Sequence, residues 1–308
     1  MIEWEKIKRI SIKERKHKVK IEDFAIPYQK GGSFQNFLDS LPQILKGKEL
    51  REMAFRIIEA KKKGKPIIFL IGAHVVKCGL SPLLIEMAQK GWISMLSTHG
   101  ATTIHDLEIA FIGETSEDVA ETLKKGMFGM VEETPRLYAQ AVKIGLKENL
   151  GLGEALGKFI YSNPSLFPYR DYSLLYNFYC LSLPFTVHIA LGTDTLFQHP
   201  EIKGSELGEL SHRDFLRFAS ELKRLKGGCI LNIGSAVIMP EVFLKAFSLV
   251  KNLGYSMEGF TAVNFDMIEH YRPRENILRR PGGTPFSFLG HHEIMIPLLF
   301  AILKELGE

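Results

Sequence analysis

A repeated pattern of short apolar runs, each closed by a glycine, constrains this chain most. Residues 67–71 read Ile-Ile-Phe-Leu-Ile before Gly72, and residues 229–233 form a second such run before Gly234. A continuous apolar run of this length is typical of a central parallel strand that is buried on both faces. Because such runs alternate with amphipathic stretches, the sequence predicts strand–turn–helix units that wind a mainly parallel sheet.

The same pattern predicts the organisation of the whole chain. Residues 65–308 are expected to form an α/β domain with a Rossmann-like, doubly wound sheet. Residues 1–64 are expected to form a basic arm and helices that pack on this main domain. Further strands are predicted at 92–97, 184–191 and 260–265 and after Gly282-Gly283, and helices at 33–41, 49–63, 81–91, 104 onward, 117 onward, 147–161, 173–181, 212–226, 240–251 and 293–306.

Composition narrows the class and the compartment. Hydrophobic residues make up 45% and charged residues 24% of the 308 residues, as in ordinary globular proteins. The three cysteines have no CxxC spacing, which argues against a disulfide framework and a thiolate zinc site and fits a reducing compartment. The start lacks the apolar core of a signal peptide, and no stretch reaches the roughly 18 apolar residues of a membrane span. We expect a cytoplasmic protein with no membrane partner.

The net charge of +4 is concentrated near the N-terminus. Eight basic residues lie between Lys6 and Lys20, with Glu14 as the only acid among them. Such a run is able to bind nucleic acid or another anionic surface. No aromatic residues interleave it to stack on bases, so a solvated arm is the favoured interpretation and a nucleic-acid partner is not expected.

Histidines follow the predicted strand ends. In a doubly wound sheet ligands bind outside the carboxyl ends of the strands, which places the loops at 72–82, 98–106, 192–199, 234–237 and 261–276 around one crevice. These loops and the start of the last helix hold His74, His99, His105, His199, His270, His291 and His292. Their concentration at one predicted edge is the informative feature.

Two kinds of site fit these loops. One is a metal site with His99, His105, Asp106 and His199 as ligands, although no HExxH motif is present. The other is a dinucleotide or phosphate site at the turns 72–79 and 234–236, because glycine allows close backbone approach and a helix N-terminus offers free N–H groups. Neither turn has the GxGxxG spacing. Capping histidines and plain turns without a cofactor remain the alternatives.

An ordered set of motifs extends from about Lys65 to Leu303. The chain reads GAHVVKCGLSPLL from Gly72, THGATTIHDLEIAF from Thr98 and GETSEDV from Gly113, and later TAVNFD, YRPRENILRRP and IPLLFAIL. In this order and spacing the set resembles the deoxyhypusine synthase family. That resemblance implies a Rossmann-like domain that binds NAD, and tetramers with active sites between subunits.

The resemblance also implies site residues. The NAD-contacting positions fall on Ala73, His74, Val75, Val76, Lys77, His99, Gly100, Ala101, Thr261, Ala262, His291 and His292. The amine-substrate positions fall on Ile104, His105, His199, Asp266 and Glu275.

Two departures from the family pattern change the expected chemistry. The paired acids of the family become Ile104 and His105, and the imine-forming lysine expected after Leu278 is replaced by Arg279-Arg280. Arginine stays protonated and does not readily form that imine. Deoxyhypusine synthesis is therefore not expected.

The sequence favours an NAD-dependent oxidoreductase or transferase that acts on a small amine or anionic substrate as a homo-oligomer, either a dimer or a tetramer. His105 is the first candidate for proton transfer, with His199 and Asp266 as further catalytic candidates. Arg279 and Arg280 are expected to hold an anionic group, or else to form surface ion pairs. A histidine-rich metal-dependent hydrolase and a non-catalytic nucleotide-binding protein are the alternatives.

Overall fold

The computed structural model describes residues 2–307 and contains a sheet of six parallel strands. The strands are β1 (Ile67–Ile71), β2 (Met95–His99), β3 (Phe185–His188), β4 (Cys229–Ile233), β5 (Thr261–Asp266) and β6 (Thr284–Leu289). Their spatial order is β3-β2-β1-β4-β5-β6, which is the Rossmann order with its reversal between β1 and β4. The predicted fold class is confirmed.

Helices connect the strands. They are α1 (Phe34–Ser40), α2 (Leu45–Lys62), α3 (Ala73–Lys77), α4 (Ser81–Gln89), α5 (Gly100–Ile112), α6 (Val119–Lys124), α7 (Glu133–Glu148), α8 (Leu152–Ser162), α9 (Leu174–Cys180), α10 (Gly204–Leu222), α11 (Ile238–Asn252) and α12 (His292–Gly307). Within residues 2–307 no helix has the length and apolar character needed to cross a membrane.

The chain divides into two compact units, one reaching Glu52 and the other beginning at Met53. The first unit holds short 3₁₀ turns at Trp4–Lys6 and Ile21–Asp23, followed by α1. Ser33 caps α1, because its hydroxyl accepts the Asn36 N–H at 3.1 Å. Helix α2 spans the division, and the boundary that the sequence predicts at residue 64 falls just after its end.

In the second unit, the core lies against the sheet. All five residues of β1 are buried, as its apolar run predicts. Alternate side chains of neighbouring strands, such as Ile68, Leu70 and Ile230, pack on Phe218 of α10 and Phe243 of α11. Period-two alternation directs these side chains to a single face of the sheet. The core therefore fixes the strands, and their carboxyl ends are left to carry the loops.

Several boundaries differ from the predictions. Helix α5 begins at Gly100 rather than near Ile104, and α10 begins at Gly204 rather than at His212. The helix predicted over 147–161 begins instead at Leu152, because Asn149 adopts a left-handed conformation with φ of 59° and ends the preceding helix α7. A π-helix occupies Pro273–Arg279, and its first four residues belong to the segment 261–276 that was predicted as a loop.

Candidate functional site at the carboxyl edge of the sheet

Two glycines meet where the strand order reverses. The Gly72 N–H donates to the carbonyl of Ile233 at 2.9 Å, and the Gly234 N–H donates to the carbonyl of Phe265 at 3.0 Å. A Cβ on Gly72 would overlap the carbonyl oxygen of Gly234, so a side chain does not fit there. Gly234 has a φ of +67°, the left-handed region that favours glycine. The two glycines thus allow a close approach of β1 and β4 at the topological switch point, where ligands bind in doubly wound folds.

Two buried side chains lie beyond this point. The ring of His292, at the start of α12, packs so closely on Gly234 that a Cβ there would be 2.6 Å from Nε2. His292 Nδ1 and Asp266 Oδ2 have no hydrogen-bond partner among the described residues, although His292 is 1% and Asp266 6% exposed. Burial lowers the pKa of His292. Buried polar atoms are nearly always satisfied, so this edge is suited to a polar ligand.

The end of β2 is shaped by an aspartate that follows β3. A Cβ on Gly100 would overlap the carboxylate of Asp194, and that carboxylate accepts a backbone hydrogen bond from Ala101. Asp194 therefore caps the N-terminus of α5. Burial raises the pKa of Asp194 to about 6. Its Oδ2 has no partner among the described residues.

A cleft of about 750 Å³ opens beside α5. Its walls bring together five positions predicted from the sequence, namely Lys77, Ala101, Ile104, His105 and His199. Five acidic side chains also line it, namely Glu108, Glu114, Glu117, Glu133 and Asp194. Among the described residues, Lys77 is the one lysine in this lining, which contains no arginine. Because acidic side chains outnumber basic ones, the cleft favours a cationic ligand.

The proton on His105 is fixed by a chain of hydrogen bonds. Thr115 Oγ1 donates to Glu108 Oε2 at 2.5 Å, and it lies 2.7 Å from His105 Nδ1. A hydroxyl has one proton, and Thr115 gives it to the carboxylate, so Nδ1 of His105 must be the donor in the second bond. Nε2 is then unprotonated and able to accept a proton. Thr134 supports the chain by donating to the other oxygen of Glu108 at 3.0 Å.

The neutral state of His105 has a different cause from the expected one. The sequence placed His105 at the start of a helix, where the helix dipole disfavours a cation. In the structure it is the sixth residue of α5, one turn further in. The pKa of His105 is lowered to about 4 by burial, with smaller contributions from Lys77 and His99.

Other predicted residues occupy varied places around the sheet. His199 lies in the cleft wall, with its Nε2 2.8 Å from the carbonyl of Gly129. Val75 and Val76 are buried, so that only their backbone is available at the edge. His99 is the last residue of β2, and burial lowers its pKa to about 4. His291 is exposed beside Glu293, with Nδ1 3.8 Å from Oε1.

Thr261 and Ala262 lie away from the other predicted cofactor positions. They begin β5, where Thr261 pairs with Cys229 and Thr284 at the amino edge of the sheet. Thr261 is 3% exposed, and Ala262 belongs to the apolar core. The structure therefore does not bring these two residues to the carboxyl edge.

The metal ligands suggested by the sequence do not form one cluster. Asp106 faces the start of α9, where it accepts hydrogen bonds from the Ser173 hydroxyl at 2.5 Å and from the N–H groups of Leu174 and Leu175 at 2.7 and 3.1 Å. It is a buried helix cap, and burial raises its pKa to about 6. Asp106 is therefore not available as a metal ligand beside His99, His105 and His199, and the expected set is wrong in that residue.

The two arginines that replace the family's lysine form ion pairs. Arg279 Nε donates to Glu275 at 2.6 Å, and Arg280 donates to Asn276 at 2.8 Å and to Tyr271 at 3.0 Å. The hydrogen bond from Arg279 is the main cause that lowers the pKa of Glu275. These residues do not line the acidic cleft. The ion-pair interpretation of Arg279 and Arg280 agrees with this geometry.

Three residues that complete the cleft lay outside the sequence predictions. Asp194 follows a glycine after β3, in a loop already expected at the crevice, so a search for acids there would have found it. Glu108 and Thr115 have no local signal, because their roles depend on contact with His105.

Comparisons with known proteins place the fold among solved structures. No protein-family model and no curated protein matches the chain. A putative deoxyhypusine synthase from Entamoeba histolytica has a TM-score of 0.53 and 12% identity, over 92% of this chain and 97% of that one. A putative LOR/SDH protein from Methanococcus maripaludis S2 has a TM-score of 0.53 and 15% identity, over 86% of this chain and 72% of that one.

A further match carries bound ligands. AgrE in a ternary complex with ornithine and NAD+ has a TM-score of 0.50 and 14% identity, over 87% of this chain but only 34% of its own. The chain thus spans about a third of that protein. At these identities the likeness is one of fold, and at that level the resemblance to deoxyhypusine synthase is confirmed.

Proposed function

We propose that this chain is an NAD-binding enzyme that transfers hydride to or from a small amine-bearing substrate. The observation that carries the proposal is that two features lie at the same edge of the sheet: the close pair of glycines at the switch point, and an acidic cleft with a neutral histidine. Support also comes from AgrE, a protein of this fold that binds ornithine and NAD+.

NAD fits the edge on grounds of local geometry. Gly72 and Gly234 bring the ends of β1 and β4 close together at the switch point, where a dinucleotide of this fold crosses the sheet. Ala73 and His74 follow on one side, and His292 and Asp266 offer unsatisfied polar atoms on the other. Bound NAD would supply a hydride acceptor. Val75, Val76, Thr261 and Ala262 contribute no exposed side chain to this proposal.

The charge of the cleft favours an amine over an acid. Carboxylates of Glu108, Glu117 and Asp194 face the same space as His105. An anionic substrate would be repelled by these acids, whose charge only Lys77 offsets among the described residues of the lining. The arginines expected to hold an anion, Arg279 and Arg280, lie outside the lining and are engaged with Glu275, Asn276 and Tyr271. The amine alternative is therefore the one that the geometry supports.

The protein has a base that can accept the proton that the substrate loses during hydride transfer. A hydride leaves a carbon more readily when a base removes the proton from the attached nitrogen or oxygen. His105 Nε2 is unprotonated, and Glu108 acts through Thr115 to orient the imidazole. In this account Glu108 and Thr115 are positioning residues, whereas His105 contacts the substrate.

The substrate and the cofactor are tested together by an assay and a mass measurement. Small molecules released on denaturing the purified protein are identified by mass, and formation of NADH is followed with a panel of diamines and amino acids against a matched panel of hydroxy acids. We expect NAD among the released molecules and turnover confined to the amines. Bound NAD without turnover on either panel would favour a non-catalytic nucleotide-binding protein, and turnover confined to hydroxy acids would contradict the amine assignment.

Dimeric or tetrameric assembly and a cytoplasmic location, both expected from the sequence, remain predictions.

A further inference from the structure

Three metal-ligating side chains converge on the outer side of α3. His74 lies in α3, and Cys78 directly follows it, so that their spacing of four residues puts them on one face. Glu293 reaches the same place from the first turn of α12. One ligand atom of each residue lies within 4.8 Å of the other two, and Cys78 Sγ is 3.6 Å from Glu293 Oε2.

We propose that His74, Cys78 and Glu293 bind a divalent metal ion of the zinc class. The donor set is one nitrogen, one sulfur and one oxygen, which suits Zn²⁺ or its spectroscopic substitute Co²⁺. Calcium and magnesium prefer oxygen ligands alone and are disfavoured by the thiolate. This site shares no residue with the metal set that the sequence suggested, and it does not rest on the proposed function.

The immediate surroundings orient the ligands. The His74 ring makes an edge contact with the buried His292 ring, with 5.9 Å between centroids, and His291 Nδ1 lies 3.8 Å from Glu293 Oε1. Neighbours of this kind hold ligating side chains in position. His74 and Glu293 are exposed and Cys78 is half-buried, so that an ion has a path from solvent.

Three protein ligands leave a fourth position of a tetrahedral ion open. Closed structural zinc sites use four protein ligands, whereas sites with three keep room for water or substrate. The site lies directly after β1, beside the glycine switch point. An ion here would add an electrophilic centre to an edge whose cleft contains mostly acids.

The thiol gives the site a pH dependence. Without a metal the Cys78 thiol donates to Glu293, and burial together with this carboxylate raises the pKa of Cys78. Metal binding requires the thiolate and so releases a proton.

Cobalt titration of the untagged full chain, without NAD, tests the site directly. We expect one equivalent of Co²⁺ to produce a sulfur-to-cobalt charge-transfer band that Zn²⁺ abolishes by displacement. Cys78→Ser should remove the band, whereas Cys180→Ser, which changes an exposed cysteine elsewhere, should keep it. Glu293→Gln should keep the band but weaken Co²⁺ binding by at least about tenfold, because the loss of even an outer-shell partner of a ligand costs about 10- to 100-fold in affinity.

Circular dichroism establishes that each variant is folded before the titration. The proposal is overturned if the wild-type chain shows no charge-transfer band at millimolar Co²⁺. It is equally overturned if the band persists in folded Cys78→Ser or disappears only in Cys180→Ser. Because NAD is absent throughout, a failure here leaves the test of NAD binding unaffected.

Discussion

The hydroxyl proton of Thr115 determines which ring nitrogen of His105 is protonated. Thr115 gives its proton to Glu108, so His105 keeps its own proton on Nδ1 and presents Nε2 as a base. We expect His105→Ala to lower turnover by roughly 10²- to 10⁴-fold, with cofactor affinity nearly unchanged. Steady-state kinetics and NAD titration of the same preparation measure the two quantities.

The pH profile adds a readout that a structural role would not move. Since burial lowers the pKa of His105 to about 4, the neutral base persists at mild acidity, and kcat/KM should fall only as the pH approaches about 4. His105→Gln keeps a hydrogen bond but not proton exchange and should be as slow as the alanine variant. His212→Ala, on the exposed side of α10, is the control. A folded His105→Ala protein with near-full turnover would make His105 a structural residue and His199 the next candidate.

The arginines after Leu278 are expected to exclude the imine chemistry of deoxyhypusine synthesis. Arg279 and Arg280 stand where the resemblance requires an imine-forming lysine, and both are held in hydrogen bonds. We expect no product in an assay with spermidine, NAD and the acceptor protein of deoxyhypusine synthesis. Borohydride trapping of an enzyme–spermidine imine on any lysine would show that this limit is wrong.

At the scale of elements, the contact of β1 with β4 depends on Gly72. A methyl group there would overlap the Gly234 carbonyl, and two paired strands would have to separate. We expect Gly72→Ala to lower the free energy of unfolding by about 3 kcal/mol or more, measured by urea denaturation. Gly208→Ala is the matched control, because that position in α10 has open space around it and alanine favours helix. Equal stability of the two variants would disprove the close approach.

The sequence predicts some elements to the residue and misplaces others for physical reasons. The bounds of β1 and β4 agree with the predicted apolar runs, because Pro66 and Gly72 flank β1 and Gly228 and Gly234 flank β4. Helix α5 was expected to begin four residues later because Gly100 resembles a turn residue. Its glycine is instead required by the Asp194 carboxylate, which comes from a loop almost a hundred residues away.

In the candidate site, too, local features could be predicted from the sequence and contacts between distant residues could not. Loops at the carboxyl edge could be predicted, since any parallel sheet gathers its strand ends there. The pairings within the site could not, because Glu108 meets His105 through Thr115, and Glu293 meets Cys78 across 215 residues of sequence. Only tertiary packing brings such groups together.

Across the whole molecule, the buried histidines and the buried aspartates have opposite effects on how stability depends on pH. Burial lowers the pKa of His99 and His105 to about 4 and of His188 to about 3. Their contribution to stability is present above pH 6.5 and is lost as the pH falls toward 4. Three buried aspartates act in the opposite direction, since the pKa values of Asp106 and Asp194 are raised to about 6 and that of Asp214 to about 7.

These opposed sets predict a flat pH dependence. The aspartates contribute stability that is fully present below about pH 4 and is lost as the pH rises from there through 6 to 7, a window that overlaps the one in which the histidines gain it. We expect the free energy of unfolding to change little between pH 6.5 and 5. His188→Gln removes one of these histidines. Between pH 6.5 and 5, the free energy of unfolding of this variant should rise relative to that of the wild type by up to about 1 kcal/mol per pH unit. Urea unfolding at both pH values measures this, and an unchanged slope in the variant would contradict it.

The proposed chemistry depends on NAD binding at the carboxyl edge of the sheet. Calorimetric titration of the purified chain with NAD should give a micromolar or tighter dissociation constant, a free energy of about −8 kcal/mol or better. Ala73→Asp places a negative charge beside the switch point and should weaken binding at least about tenfold, because the pyrophosphate is anionic. Ser205→Asp, with the same added charge at an exposed position of α10, should bind NAD as the wild type does. The absence of binding to NAD and NADP at millimolar concentration would contradict the account.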